Sequence, residues 1–266
     1  MGPLPETLTR DPEFLRSLMP LLRSYAKTWH RSEVRGLDHV PSEASLVVSN
    51  HSGGLLAMDF PVFAVDFSDR FGVERPLYLL THGVVYGTPL AGPVLRAGMV
   101  PASRETAQTV LRSGATLMVF PGGDYDAGRP ASSANLIDFR GRTGYVKTAL
   151  RADVPIVPTV SIGGHENQLY LSRGETLVRL LKLEQRTRIS ILPLTFGFPW
   201  GLSLGFLLPP NLPLPTKIVT QVLGPVHVRA EFGDNPDPRV VDAHIRKLMQ
   251  SALDELARNR RYPVIG

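Results

Sequence analysis

The sequence contains no cysteine, and this absence excludes several classes of chemistry. Without thiols the chain cannot form disulfides, use a thiolate nucleophile or build a cysteine-type zinc site, and it fits a reducing compartment. No apolar run reaches the roughly 18 to 20 residues of a spanning helix, and the amino terminus lacks the basic start and apolar core of a signal peptide. The sequence therefore predicts a cytoplasmic protein with at most a peripheral contact to a membrane.

Runs of basic residues are also missing, although the formal net charge is +5. This charge favours anionic partners such as acidic headgroups, phosphorylated substrates or coenzyme A. No basic stripe alternates with aromatic side chains, so nucleic-acid binding is not predicted. The histidines lack ligand-type spacing, so we expect no metal and no other cofactor.

What the chain does contain is an alternation of short apolar runs and helical patterns. Its 266 residues, 43% of them hydrophobic, can bury one large core. Residues 14–30 predict an amphipathic helix bent at Pro20. Strands are predicted at 45–49, 77–80, 116–120, 155–161 and 218–224, with helices at 104–114, 143–153 and 238–258. This order predicts an α/β fold whose central, largely parallel sheet is flanked by helices, with functional sites at the carboxyl ends of strands.

The stretch after the predicted strand 45–49 has residues suited to general base catalysis. His51 stands at the strand end and is followed by Gly53 and Gly54, which let a substrate approach the backbone. A neutral imidazole there could take a proton from an attacking hydroxyl if a carboxylate orients the ring. Asp59 is the nearest acid. The alternatives are that His51 is a solvated or core-satisfied histidine and that Asp59 is a helix N-cap with a proline in the first turn.

Two further segments carry candidate binding residues. Arg104 falls in the first turn of a predicted helix capped by Ser103, where its guanidinium and free backbone N–H groups could meet one phosphate. A solvated surface arginine is the alternative. Residues 120–123, Phe-Pro-Gly-Gly, follow a predicted strand and lead into Asp124 and Asp126. Taken alone, this segment predicts a turn with solvated acids.

Taken together and in this order, these segments resemble the sequence blocks of the lysophospholipid/glycerolipid acyltransferase superfamily, and most closely its monoacylglycerol/diacylglycerol acyltransferase-like branch. The resemblance identifies residues 34–266 as an acyltransferase domain that follows an N-terminal amphipathic helical segment, residues 1–33. It implies a glycerol-3-phosphate acyltransferase-like fold. It also implies an acyl-CoA or acyl-carrier-protein donor, a glycerolipid or lysophospholipid acceptor, and a place in phospholipid biosynthesis at the inner face of the membrane.

The resemblance also implies roles for individual residues, with His51 as the base and Asp59 as its orienting acid. The implied contacts to the acceptor or to a phosphate are Gly98, Arg104, Phe120, Gly122, Gly123, Asp124, Arg142 and Lys147. Two features depart from the family pattern. Seven residues separate His51 from Asp59, which is longer than the usual spacing. Gly122 stands where a glutamate is usual, so acceptor binding could pass to Asp124 or Asp126.

Two other functions stay open from the sequence. Residues 201–205 match the GxSxG nucleophile pattern, with Ser203 as the nucleophile and with Asp242 and His244 following in the order of an α/β-hydrolase. That pattern needs a helix after the serine, and the prolines that follow oppose one. A lipid-binding module without catalytic activity is the other alternative.

The uncharged segment 194–210 predicts a way to reach lipid. It gathers nine large apolar side chains, including Trp200 and Phe206, while prolines and glycines break its regular structure. We therefore expect an exposed loop that enters the bilayer or lines the acyl entrance, and the helix at 15–29 is a second candidate contact. A core strand is the alternative.

Overall fold

A computed structural model of the protein describes residues 8, 10–51, 57–167, 169–182, 192–204 and 211–262. The predictions made for Gly53, Gly54 and Phe206 lie outside these residues. The strands are β1 Glu33–Arg35, β2 Ser45–Ser49, β3 Leu77–Thr81, β4 Met99–Pro101, β5 Thr116–Val119, β6 Ile156–Ile162, β7 Leu169–Ser172, β8 Leu194–Gly197, β9 Gly201–Leu204 and β10 Val219–Val222. The helices are α1 Pro12–Ser24, α2 Asp59–Phe71, α3 Ala91–Arg96, α4 Arg104–Arg112, α5 Gly123–Ala127, α6 Gly144–Ala152, α7 Glu175–Leu180, α8 Val228–Phe232 and α9 Pro238–Asn259.

The central sheet has seven strands in the order β1-β10-β6-β2-β5-β3-β4. Strands β6, β2, β5, β3 and β4 run parallel to one another, whereas β10 runs antiparallel to β6 and parallel to β1. All five predicted strands lie in this sheet. The predicted α/β class with a largely parallel sheet is confirmed.

Helices cover both faces of the central sheet. Leu46 and Val48 of β2 point to the side of α4, α6 and α9, whereas Val47 points to the side of α2. Strands buried on both faces appear as continuous apolar runs, which is why they could be predicted. The structure therefore leaves the carboxyl ends of the parallel strands, together with the loops after them, as the edge where side chains can meet a substrate.

The predicted N-terminal amphipathic helix is confirmed as α1, and a π-helical turn, Tyr25–Trp29, continues it. Asp11 caps α1 by accepting the backbone N–H of Glu13 and of Phe14. Its buried Leu15 and Met19 pack against Val65 of α2. This side of α1 therefore belongs to the core.

A second sheet of three antiparallel strands, β7-β8-β9, contains part of the segment that was predicted as a loop. Thr195 and Ser203 face each other and are buried, whereas the neighbouring Phe196 and Leu202 are 49% and 58% exposed. Residues 194–197 and 201–204 are strands rather than the expected loop, because Gly197 and Gly201 lie where the two strands meet the turn instead of interrupting them. Residues 198–200 form that turn, and residues 205–210 lie outside the described ranges. Within the described ranges, no helix is long and apolar enough to cross a membrane.

Candidate active site

His51 lies just beyond the carboxyl end of β2, and its neighbours fix its backbone. The side chain of the preceding residue, Asn50, exchanges two hydrogen bonds of 2.8 Å with the backbone of Ser161 in β6. The backbone N–H of His51 donates to Asp126 Oδ2 at 2.7 Å. The histidine is therefore held between β6 on one side and the segment after β5 on the other.

The His51 ring meets Asp59 despite the long sequence gap between them. Nδ1 of His51 lies 3.2 Å from Oδ2 of Asp59, whose side chain is 1% exposed. Asp59 is the first residue of α2, where the helix dipole favours a carboxylate. The N-cap position belongs to Met58, so the interpretation of Asp59 as an N-cap is wrong. The helix start, rather than sequence proximity, brings this acid to the histidine.

Phe120 fixes the plane of the imidazole. The two rings stack at a centroid distance of 4.5 Å and an angle of 15°. The His51 side chain is 21% exposed, which contradicts a freely solvated loop histidine. No hydrogen bond joins Nε2 to the part of the chain that the structure describes. With Nδ1 held by Asp59, Nε2 is the nitrogen that can face a substrate.

The Phe-Pro-Gly-Gly turn is fixed by Arg142. Its guanidinium donates to the carbonyl of Gly122 at 2.9 Å and to Asp124 Oδ1 at 3.1 Å. Gly123 has φ +51°, and a Cβ there would lie 2.8 Å from Arg142 Nη1. Four of the predicted residues, Gly122, Gly123, Asp124 and Arg142, thus meet at one turn beside Phe120. The side chains of Arg142 and Asp124 are about half exposed there.

Asp126 forms a buried ion pair that the sequence analysis did not predict. Its Oδ1 accepts from Nε and Nη2 of Arg129 at 3.0 and 2.8 Å, and both side chains are 1% exposed. The alternative of Asp126 as an acceptor contact is wrong, because both oxygens bond to the protein. The sequence offered one signal, a base three residues after the acid, although Arg129 itself lies beyond the end of α5 at Ala127.

The remaining predicted residues lie farther from His51. Arg104 is exposed in the first turn of α4, which follows the edge strand β4, and Ser103 caps that helix as predicted. Since β4 is three strands from β2, the spacing of neighbouring strands puts β4 roughly 14 Å from β2, the strand that ends at His51. Lys147 is also exposed, on the surface of α6. Gly98 precedes β4 at the amino end of the sheet, opposite His51. Its φ of +84° and a carbonyl 2.8 Å from its absent Cβ give it a conformational role.

The hydrolase alternative is wrong because its three residues do not meet. Ser203 lies inside β9, an antiparallel strand, and its side chain is buried. Asp242 of α9 accepts from Tyr145 Oη at 2.9 Å and from Arg246 Nε at 2.8 Å. The ring of His244 packs on Phe232. No nucleophile elbow or triad can form from these positions.

An apolar cleft opens beside Phe120 on the face of the sheet that carries α4 and α6. Its lining residues are Leu46, Leu80, Ala102, Val119, Phe120, Pro121, Tyr145 and Thr148. Burial and the neighbouring Asp242 raise the pKa of Tyr145, so its hydroxyl stays neutral and donates to the carboxylate. The side chains that line the cleft therefore carry no charge, and most of them are apolar. Among the described residues, no group of three or more histidine or acidic side chains could hold a metal ion.

Comparisons with known proteins show the family to which this chain belongs. A family model described as Acyltransferase matches residues 31–162. An uncharacterized protein of Mycobacterium tuberculosis is 33% identical over 264 residues, which cover 96% of this chain and 70% of that protein. The chain belongs to the acyltransferase family, and the resemblance drawn from the sequence is confirmed.

Two more distant proteins extend the comparison. The chain is 28% identical to the mouse (Mus musculus) protein named DGAT1/2-independent enzyme synthesizing storage lipids, over 87% of this chain and 66% of that protein. The crystal structure of the 1-acyl-sn-glycerophosphate acyltransferase PlsC from Thermotoga maritima superposes with a TM-score of 0.56 at 18% identity. That match covers 94% of this chain and 84% of the other, and it confirms the predicted fold.

Proposed function

We propose that the protein moves a fatty acyl group from an acyl-CoA or acyl-carrier-protein thioester to a hydroxyl of a glycerolipid or lysophospholipid, as part of lipid metabolism. The observation that carries this proposal is the 3.2 Å contact between His51 Nδ1 and the buried Asp59 carboxylate at the carboxyl edge of the sheet. The names of the mouse and Thermotoga proteins, a storage-lipid enzyme and a lysophosphatidate acyltransferase, support a glycerolipid substrate.

In the proposed reaction His51 acts as a general base. Asp59 accepts the Nδ1–H, which leaves Nε2 unprotonated and able to take the proton from the acceptor hydroxyl. The acceptor oxygen attacks the thioester carbonyl, and the C–S bond breaks as the tetrahedral intermediate collapses. The imidazolium returns its proton to the departing thiolate. No covalent acyl-enzyme and no resident cofactor take part in this scheme.

Groups around the carboxyl edge of the sheet could bind the acyl donor and the acceptor. The cleft beside Phe120 is apolar and can take the acyl chain. The exposed cations Arg104 and Lys147 form no ion pair with other described residues and can meet the phosphates of coenzyme A or of an acceptor. Arg142 and Asp124 present paired charges at the turn next to the base, where a polar headgroup would lie.

The proposed function is tested by mass spectrometry of products from labelled palmitoyl-CoA and a panel of lysophospholipid, monoacylglycerol and diacylglycerol acceptors. We expect an acylated lipid whose formation falls by about 10²- to 10⁴-fold in His51→Ala, since a positioned base contributes that much. Ser203→Ala is the control and should keep its activity. Binding of lipid without any product would favour the lipid-binding module, and free fatty acid independent of acceptor would favour hydrolysis.

We further propose that the β8–β9 hairpin contacts the membrane surface. Its apolar side chains Phe196, Phe198, Trp200 and Leu202 are 49 to 68% exposed. The hairpin belongs to the small sheet that follows β6, and β6 ends at the same edge as β2. Arg173, just after β7, stacks on Tyr125 of α5 at 3.9 Å and so ties this sheet to the site. A membrane contact here would present lipid near His51.

Sedimentation with anionic liposomes tests the membrane contact. Phe198→Ser/Trp200→Ser should shift the protein from the pellet to the supernatant. The matched control is Leu90→Ser/Val240→Ser, which removes two apolar side chains of similar exposure, 62% and 55%, from other surfaces. Equal pelleting of the wild type and the hairpin variant would refute the contact, as would an equal loss in the control variant.

A further inference from the structure

The carboxylate of Asp126 is buried directly behind the proposed catalytic base. One oxygen accepts from Arg129, and the other accepts the backbone N–H of His51 at 2.7 Å. Buried charges are costly unless they are paired and fully hydrogen-bonded, and both conditions hold here. The mechanism proposed above gives Asp126 no role, so the reason for a buried ion pair at this position has to lie elsewhere.

Asp126 also explains why position 122 is a glycine. A Cβ on Gly122 would lie 2.4 Å from the Asp126 Cβ and 3.0 Å from Oδ2, the oxygen that holds His51. The φ of Gly122 is −66°, so any residue could adopt its backbone conformation. Space, rather than conformation, demands the glycine. The sequence resemblance predicts a glutamate at position 122. A side chain at that position would collide with Asp126 where the structure places it.

We propose that Asp126 is a positioning residue for His51, and that its side chain fills the space into which a side chain at position 122 would project. Arg129 holds Asp126, which in turn anchors the His51 backbone. This anchor and the pairing of Asn50 with β6 fix the peptide on both sides of the histidine. The base then keeps the orientation that Asp59 and Phe120 require. The proposal rests on the proposed function, because it assumes that His51 is the base.

The first variant to test is Asp126→Asn. The asparagine amide has one acceptor oxygen, and that oxygen will accept a hydrogen bond from the charged guanidinium of Arg129. The NH₂ group then faces the His51 N–H, donor against donor. Because the variant displaces the base without removing a substrate contact, kcat should fall by about 10- to 100-fold while KM changes by less than about twofold.

The double variant Asp126→Asn/Arg129→Met separates positioning from stability. With the guanidinium removed, the asparagine oxygen can turn to the His51 N–H, so we expect kcat to recover to within about fivefold of wild type. The control is Asp66→Asn on α2, which breaks the partly buried ion pair between Asp66 and Lys27. It should lower the melting temperature and leave kcat unchanged.

These results distinguish the inference from the proposed function. Loss of activity in His51→Ala together with wild-type kcat in Asp126→Asn would overturn the inference alone. Equal kcat in the single and double variants, both folded by circular dichroism, would also overturn it. Full activity in His51→Ala would overturn the proposed function itself. A kcat that is low in Asp126→Asn and restored in the double variant supports the positioning role.

Discussion

Replacing Asp59 by asparagine tests the arrangement on which the proposed mechanism depends. At 3.2 Å and an effective dielectric of about 20, a full imidazolium charge and the carboxylate attract each other by roughly 5 kcal/mol. If about half of that charge has formed in the transition state, its loss costs roughly 2 to 3 kcal/mol. This energy corresponds to a fall of about 30- to 150-fold in kcat.

The tautomer adds a second loss. An asparagine can donate to Nδ1, which leaves the ring proton on Nε2, the nitrogen that has to act as the base. In the catalytic triad of serine proteases the same change lowers kcat by about 10⁴-fold. We therefore expect kcat of Asp59→Asn to fall by between about 10²- and 10⁴-fold with KM little changed. The assay is steady-state release of coenzyme A from palmitoyl-CoA at saturating acceptor.

The matched control for this experiment is Asp69→Asn. Asp69 lies on α2, as Asp59 does, and the variant removes its ion pair with Arg23 of α1. Both of these side chains are substantially exposed. A surface pair of this kind stabilises the fold by less than about 1 kcal/mol, so kcat should not change. A lower melting temperature with kcat within about twofold of wild type in Asp59→Asn would refute the orienting role and leave Asp59 with a structural one.

Three further predictions follow from other parts of the structure. Arg104→Ala should raise KM for a phosphate-bearing substrate by about fivefold, because the side chain is exposed and its contact screened; neutral acceptors should be unaffected. Gly122→Ala should lower kcat in the wild-type background but should cause no further loss in an Asp126→Gly background, where the colliding side chain is absent, as measured by turnover of both single variants and the double variant. Burial lowers the pKa of His30, so stability should fall as pH drops below about 6.5, where the unfolded chain gains a proton that the fold resists.

Each of these predictions has a result that would contradict it. An equal rise in KM for every acceptor and every acyl donor would exclude a selective phosphate contact for Arg104. Losses in kcat that simply add in the Gly122→Ala/Asp126→Gly variant would contradict the steric account. For His30, urea unfolding at pH 7.5 and 5.5 should show a smaller pH dependence in His30→Asn than in wild type. The same pH dependence in both would show that other groups cause it.

The central sheet could be predicted because its strands are buried on both faces. Leu46, Val47 and Val48 are each 0% exposed, so an uninterrupted apolar run marks the strand. Strands β1 and β4 have three residues each, too few for any pattern to indicate them. The order of strands in the sheet follows from contacts between distant segments, and a single sequence does not encode these as a local pattern.

The candidate site was predicted in part, and the division has a physical cause. His51 and Phe120 follow predicted strands, so their meeting at the carboxyl edge could be expected from the fold class. The bond from His51 to Asp126 joins residues 75 positions apart. The acid was visible in the sequence, but its burial was not, because burial depends on Arg129 and on the space left by Gly122.

In the β8–β9 hairpin the exposure of the apolar side chains was predicted from the sequence, whereas the two strands were not. In β8 and β9 the polar Thr195 and Ser203 are buried, whereas Phe196 and Leu202 on the opposite face are exposed. The usual alternation puts apolar side chains towards the core and polar ones towards water, so the sequence pattern assigns each face to the wrong side. Keeping large apolar side chains in water has a cost that a partner surface can offset. The inversion of the two faces is therefore a stronger argument for a lipid contact than the apolar composition of the segment.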